Sequence, residues 1–200
     1  MGPHSRAPVF ETPRLRLRPR RREDLADCLA MDRDPEVTRW IPGPWDDPAA
    51  HEAFVRARIE AEHGEGLGYW VIHERAAPER FLGWILLIPE DPGDAVAPAG
   101  GAGPRPVGGA DGLARAAPGE VEIGWRLARA AWGRGIATEA ALPVARHAFA
   151  TLGLPRLAAD IATGNAGSRR VAEKIGMRPR PGERAEAASL RHVMTAADLV

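Results

Sequence analysis

Two segments carry residues whose types and spacing suit chemistry. The first runs Glu122-Ile-Gly-Trp-Arg-Leu127 and then, after Ala128 to Ala131, Trp132-Gly-Arg-Gly-Ile-Ala-Thr-Glu139. A strand leads into a glycine-interrupted turn, and the turn opens a helix. Gly133 and Gly135 permit backbone angles and a close approach that a side chain would block. The amides of Arg134 to Ala137 then face outward at the positive end of the helix dipole, which is a phosphate cradle in physical terms. Arg129 and Arg134 add charge beside it. The pattern is not a P-loop, because no Gly-Lys-Ser/Thr follows, and it lacks the third glycine of the dinucleotide fingerprint. On their own the two glycines fit an ordinary turn at least as well as a ligand site. The second segment is Asn165-Ala-Gly-Ser168-Arg-Arg-Val171-Ala-Glu-Lys174-Ile-Gly176-Met177. Asn165 reads as a helix N-cap with Ser168 in the first turn.

The elements that must position these residues follow from hydrophobic period and punctuation. In Thr12-Pro-Arg-Leu-Arg-Leu-Arg-Pro19 the leucines alternate with arginines, as in a strand with one wet face. Arg22 to Met31 has helical apolar spacing and is expected to end at Asp34-Pro35. Trp40-Ile-Pro-Gly-Pro-Trp45 is a loop, and Asp47-Pro48 caps a second helix ending near Gly64. Strands are expected over Tyr69–His73, Phe81–Ile88, Glu120–Leu127, Arg156–Ala162 and Leu190–Thr195, with a turn over Arg75 to Arg80. Helices are expected over Gly135–Thr151, bent near Pro143, and over Ala166–Ile175. This order predicts a mixed sheet with helices on both faces, an α/β or α+β sandwich.

At 200 residues, 44% hydrophobic and 27% charged, the chain fits one soluble globular domain. Of residues 89–119, 22 of 31 are Gly, Ala or Pro, too little apolar surface to offset ordering entropy, so this stretch reads as a flexible insertion within the domain. The 27 basic residues balance 27 acidic ones, which argues against nucleic acid as a partner. No apolar run spans a membrane and the start has no signal pattern, so a cytoplasmic protein is expected. Cys28, the single cysteine, forms no internal bridge and reads as a small core residue. His51, His63, His73, His147 and His192 show no metal-ligand spacing, so no metal is expected.

Taken together, the two segments resemble the GNAT superfamily of N-acetyltransferases, and most of all its ribosomal-protein N-terminal (alanine) acetyltransferase-like branch. That branch reads E-I-G-W/Y, W-G-x-G-x-A-T-E-A and N-x-x-S-x-x-V-x-E-K-x-G-F/M at about this spacing. The opening T-x-R-L-x-L-R-P is similar too, and the likeness covers nearly the whole chain outside 89–119. It implies a single acetyltransferase domain over 1–200, with a central, mostly antiparallel mixed sheet of about seven strands flanked by about four helices. The sheet would be splayed at the cofactor site. Acetyl-CoA is implied as co-substrate and a protein or peptide α-amine as acceptor, with direct attack in a ternary complex.

By the same resemblance, the backbone of Ile123, Gly124, Trp125 and Leu127 would pair with the pantetheine arm. Gly133, Arg134, Gly135, Ile136, Ala137 and Thr138 would hold the pyrophosphate. Asn165, Ser168 and Arg170 would lie along the cofactor, although an exposed helix face explains Arg169 and Arg170 equally well. The chain departs from the family at Ala130, where Gln or Arg is usual, and at Ala172, where some relatives carry a tyrosine acid.

Amide formation requires a deprotonated amine and a stabilised leaving thiolate. Glu122 is the expected base, with Glu120 as the alternative, and Ser168 the group beside the departing sulfur. Trp40 and Trp45, in the loop before the second helix, are expected at the acceptor wall, where they equally suit packing. A small-amine acetyltransferase, for an aminoglycoside or polyamine, and a non-catalytic acyl-CoA-binding module are the competing readings. Monomer and homodimer are both compatible with the sequence.

Overall fold

The computed structural model describes residues 7–90, 121–183 and 188–200. Most of the expected insertion, from residue 91 on, and Glu120 lie outside the described residues. Two strands open the chain, β1 (Phe10–Glu11) and β2 (Leu15–Pro19). Helices α1 (Leu25–Asp32), α2 (Pro35–Thr38) and α3 (Pro48–Glu60) follow. Then come β3 (Gly68–Glu74), β4 (Ala77–Pro89), β5 (Val121–Leu127) and α4 (Ile136–Ala150). The chain closes with β6 (Leu157–Ala162), α5 (Ala166–Lys174), β7 (Arg178–Pro179) and β8 (Ser189–Met194). All eight strands form one sheet in the order β1-β2-β3-β4-β5-β6-β8-β7, antiparallel except between β5 and β6.

Among the described residues there are eight strands and five α-helices, against the six strands and four helices read from hydrophobic period, because β1, β7 and α2 are too short to carry a periodic signal; the resemblance implies about seven and four. α1 ends at Asp32, just ahead of Asp34-Pro35 as expected, and the same pair starts α2: the Asp34 side chain accepts from the Glu36 amide, and proline fits the first helical turn. The turn expected over Arg75 to Arg80 contracts to Arg75-Ala76, because Glu74 already pairs with Ala77. Pro143 lies inside an unbroken α4.

The sheet's two faces have different covers. Trp70, Ile72, Ile85, Leu87 and Ile123 face α4 and α5 in the main core, while Tyr69, Trp84 and Leu86 face α1 to α3. On α4 the buried row is Ile136, Ala137, Ala140, Ala141, Val144, Ala145 and Ala148, a mostly alanine face that lets the helix axis approach the sheet closely. Arg14 ties the opening strands to this helix. Its guanidinium meets Glu139 at 2.6 Å and donates to the Arg134 carbonyl at 3.0 Å.

Candidate active site

The site begins where two strands part. β5 pairs with β4 along its full length, from Val121↔Pro89 to Leu127↔Gly83. Its parallel pairing with β6 stops after Val121↔Leu157 and Glu122↔Ala158, whereas β6 continues along β8. Past Glu122, the edge of β5 turned toward β6 therefore has no strand neighbour among the described residues. Unpaired backbone groups at such an opening want a hydrogen-bonding partner, and an extended amide-bearing chain can supply one.

Beyond β5 the chain makes the turn anticipated from its glycines. Gly133 and Gly135 have φ of +71° and +75°, a left-handed backbone that favours glycine. Gly135 is the N-cap of α4 and offers no side chain, and the first helical bond is Glu139 N–H to Gly135 O at 3.0 Å. The amides of Ile136, Ala137 and Thr138 thus precede the helix's own bonding pattern, at the positive end of its dipole. Trp132 fastens the turn by donating its indole N–H to the Leu127 carbonyl at 2.9 Å. The two arginines expected to add free charge are both paired, Arg134 with Glu74 at 2.8 Å and Arg129 with Asp34 at 2.9 Å. Attraction for an anion here therefore comes chiefly from backbone.

Asn165 is the N-cap of α5, accepting from the Ser168 amide at 3.0 Å. Ser168 is half-buried in the first turn, and Arg170 is exposed. Glu122, Gly124 and Arg126 lie on the α1–α3 face of β5, opposite Ile88, Leu86 and Trp84. A Cβ built on Gly124 would sit 3.4 Å from Glu122 Oε1, so the carboxylate lies alongside the strand as it leaves β6. Ile123 is fully buried and Trp125 packs against the main core, so these two offer backbone rather than side chains.

Trp40 and Trp45 do different things. Trp45 is held inward: its N–H donates to Ile41 O at 2.8 Å, and its ring meets His51 and Phe54 edge-on. Trp40 is 40% exposed, and its ring lies where a Cβ on Gly164 would be 2.5 Å away. It therefore reaches across to the β6–α5 turn, one residue from Asn165. Sequence reasoning missed the buried group beneath this loop. Arg126 donates to Asp32 at 2.8 Å, His51 approaches the same carboxylate at 3.4 Å, and the guanidinium lies near the rings of Trp45 and Trp84. Nothing in the local pattern marks it, since Arg126 occupies a polar place in an alternating strand.

Cys28 is buried, and burial pushes its thiol up to about 11. It stays protonated at neutral pH and cannot act as an acyl-carrying nucleophile there. Among the described residues, no group of three or more His, Cys, Asp or Glu is placed to hold a metal, and no helix is long and apolar enough to cross a membrane.

The model of the acetyltransferase (GNAT) domain matches residues 14–178, which take in the splayed strands, the glycine turn and the capped helix. The chain belongs to the GNAT acetyltransferase family. The family's donor is acetyl-CoA and its acceptors are amines. Among its relatives, the uncharacterized protein YkkB of Bacillus subtilis is 30% identical over 167 residues, 83% of each chain. The FsC-acetyl coenzyme A-N(2)-transacetylase of Aspergillus fumigatus is 27% identical over 172 residues, covering 85% of this chain and 65% of the fungal protein. In structure, Mycobacterium smegmatis RimJ, solved with CoA-disulfide, matches with a TM-score of 0.66 at 22% identity over 96% of this chain and 88% of RimJ.

Proposed function

We propose that this N-acetyltransferase moves the acetyl group of acetyl-CoA to the α-amine of a protein or peptide. The observation that carries the cofactor assignment is the continuity of the unpaired β5 edge with the uncapped start of α4. An extended pantetheine arm suits the first and a pyrophosphate the second. Ile123, Gly124, Trp125 and Leu127 would pair with the arm through their backbone. Gly133 to Thr138 would hold the phosphates, and Asn165, Ser168 and Arg170 would flank the cofactor's path. When bound, acetyl-CoA supplies an activated acyl group and a good leaving thiol.

The chain's own residues then have two proton tasks. Glu122 would take the amine's proton, directly or through water, from its place beside Gly124. Ser168 would donate its hydroxyl toward the sulfur side, a weak acid that works only where held in position. Trp40 would form the acceptor wall nearest Asn165, with Trp45 as packing behind it.

The motifs, which resemble the ribosomal-protein N-terminal branch, favour a protein N-terminus. A second reading keeps the fold and the cofactor site and changes the acceptor to a small amine such as an aminoglycoside or polyamine. Thiol release from acetyl-CoA, measured against N-terminal peptides, polyamines and aminoglycosides, separates them. Release with a peptide and mass gain at its α-amine is the expected result. Release with a small amine only replaces the acceptor, and CoA binding without any transfer marks a binding module. The cradle is tested apart from the acceptor. Gly135→Glu puts a carboxylate at the dipole's positive end and is expected to abolish CoA binding by calorimetry in a folded chain.

A further inference from the structure

A second group of cations lies away from the cradle, between the end of α3 and the start of β3. Arg20, Arg58, His63 and Tyr69, with Ile59 and Gly68, line a cavity of about 40 Å³. Arg20 lies over the Tyr69 ring, 3.7 Å from its centroid, and its Nε and Nη2 are buried with no hydrogen-bond partner among the described residues. Among the same residues His63 Nε2 is buried without a hydrogen-bond partner as well. Burial acts most strongly on Arg20, and the groups next to it are Tyr69, the Cys28 thiol, which also shares a hydrogen bond with the guanidinium, and Arg58, none of them a carboxylate. Arg58 is exposed at the rim, its guanidinium 3.5 Å from the Phe54 ring centroid.

Buried charges in folded proteins are paired, and a guanidinium left with open donors in a cavity is an exception that calls for a counter-ion. Two guanidinium groups beside one imidazole repel each other, and an anion among them removes that cost. One water needs roughly 10–15 Å³ of such space, so this cavity has room for a planar group of three or four heavy atoms. Arginine forks match a carboxylate of that size, while a phosphate ester is bulkier.

We propose that the cavity between Arg20, Arg58, His63 and Tyr69 is a binding site for a carboxylate. The carboxylate comes either from a free small acid or from an acidic residue of an acceptor. Binding itself does not depend on the acetyl-transfer reading.

The test is a titration of the full chain with sodium acetate, following the imidazole signals of His63 by NMR, against sodium chloride at matched ionic strength. A saturable acetate-specific shift is expected. Arg58→Ala, at an exposed position that leaves the core intact, should weaken it by roughly tenfold or more, as loss of a charge-assisted hydrogen bond implies. Arg20→Met should abolish it, and Arg146→Ala, on α4, should leave it unchanged. No saturable shift in the wild type, or equal affinity in Arg58→Ala, overturns the site. The source is then read from kinetics. Acetate competing with an acidic acceptor but not with acetyl-CoA assigns the acceptor's carboxylate, and acetate binding without competition assigns a free acid.

Discussion

Glu122 joins two circumstances that a general base needs. It is partly shielded on β5, at the last residue that β6 still pairs, and it lies on the face covered by α1 to α3, where the proposed acceptor wall sits. Replacement by Gln keeps shape and hydrogen bonding while removing the proton acceptor. The expected outcome for Glu122→Gln is a kcat lower by roughly 10²–10⁴-fold with CoA affinity nearly unchanged. Steady-state rates together with calorimetry check this, and an intact kcat would assign the base elsewhere. Arg134 shows the opposite lesson at the same scale. Read along the sequence it is a free charge beside a phosphate cradle, yet Glu74 from β3 neutralises it.

At the scale of elements, the N-termini of α4 and α5 are built by contrasting means. α4 begins on a left-handed glycine with no side-chain cap, leaving its first amides open, whereas α5 begins on Asn165, which satisfies the Ser168 amide. An uncapped helix start is costly unless something binds there, and a capped one is stable alone. Asn165→Ala is therefore expected to cost about 1 kcal/mol in urea unfolding. Asn165→Asp caps equally well and should restore that stability. CoA affinity that stays low in Asn165→Asp would show that the amide also contacts the cofactor. The α1–α2 region is tied to the site by Asp32–Arg126, Asp34–Arg129 and the Trp40 ring against Gly164. These three contacts tie the loop that carries Trp40, the proposed acceptor wall, to β5 and the β6–α5 turn. Removing one partner of the buried Arg126–Asp32 pair would leave a charge uncompensated.

At the scale of the molecule, Glu139 links the N-terminal strands to the helix that carries the cradle. Burial raises its pKa, but hydrogen bonds from Thr12 Oγ at 2.5 Å, the Arg14 amide at 3.0 Å and Arg14 Nε at 2.6 Å outweigh it and hold the carboxyl below its ordinary value of 4.5. A carboxyl held low in the folded chain contributes stability above its unfolded value, and that contribution is lost as pH falls through the folded value. Wild type should therefore lose stability below about pH 4.5 partly through this group. Glu139→Gln should be less stable at pH 7 by on the order of 1–2 kcal/mol, with the difference shrinking in acid. Urea midpoints at pH 7 and pH 4 measure it, and a difference independent of pH would remove Glu139 from the account.

What the sequence determined by itself was local. Alternating Leu15 and Leu17, the Asp47-Pro48 start, the glycines at 133 and 135 and the Asn165 cap are all decided by residues within a few positions of one another. Backbone angles, capping bonds and period require no more than that. The tertiary structure alone decided which charges are free and which faces meet. Arg134 met Glu74 across 60 residues, Arg126 met Asp32 across 94, and Trp40 reached Gly164. It also decided that β5 and β6 part after Glu122, since strand divergence depends on what each strand pairs with on its other side. Such contacts join residues remote in the chain, and their Coulombic and packing energies leave no periodic trace in the local sequence.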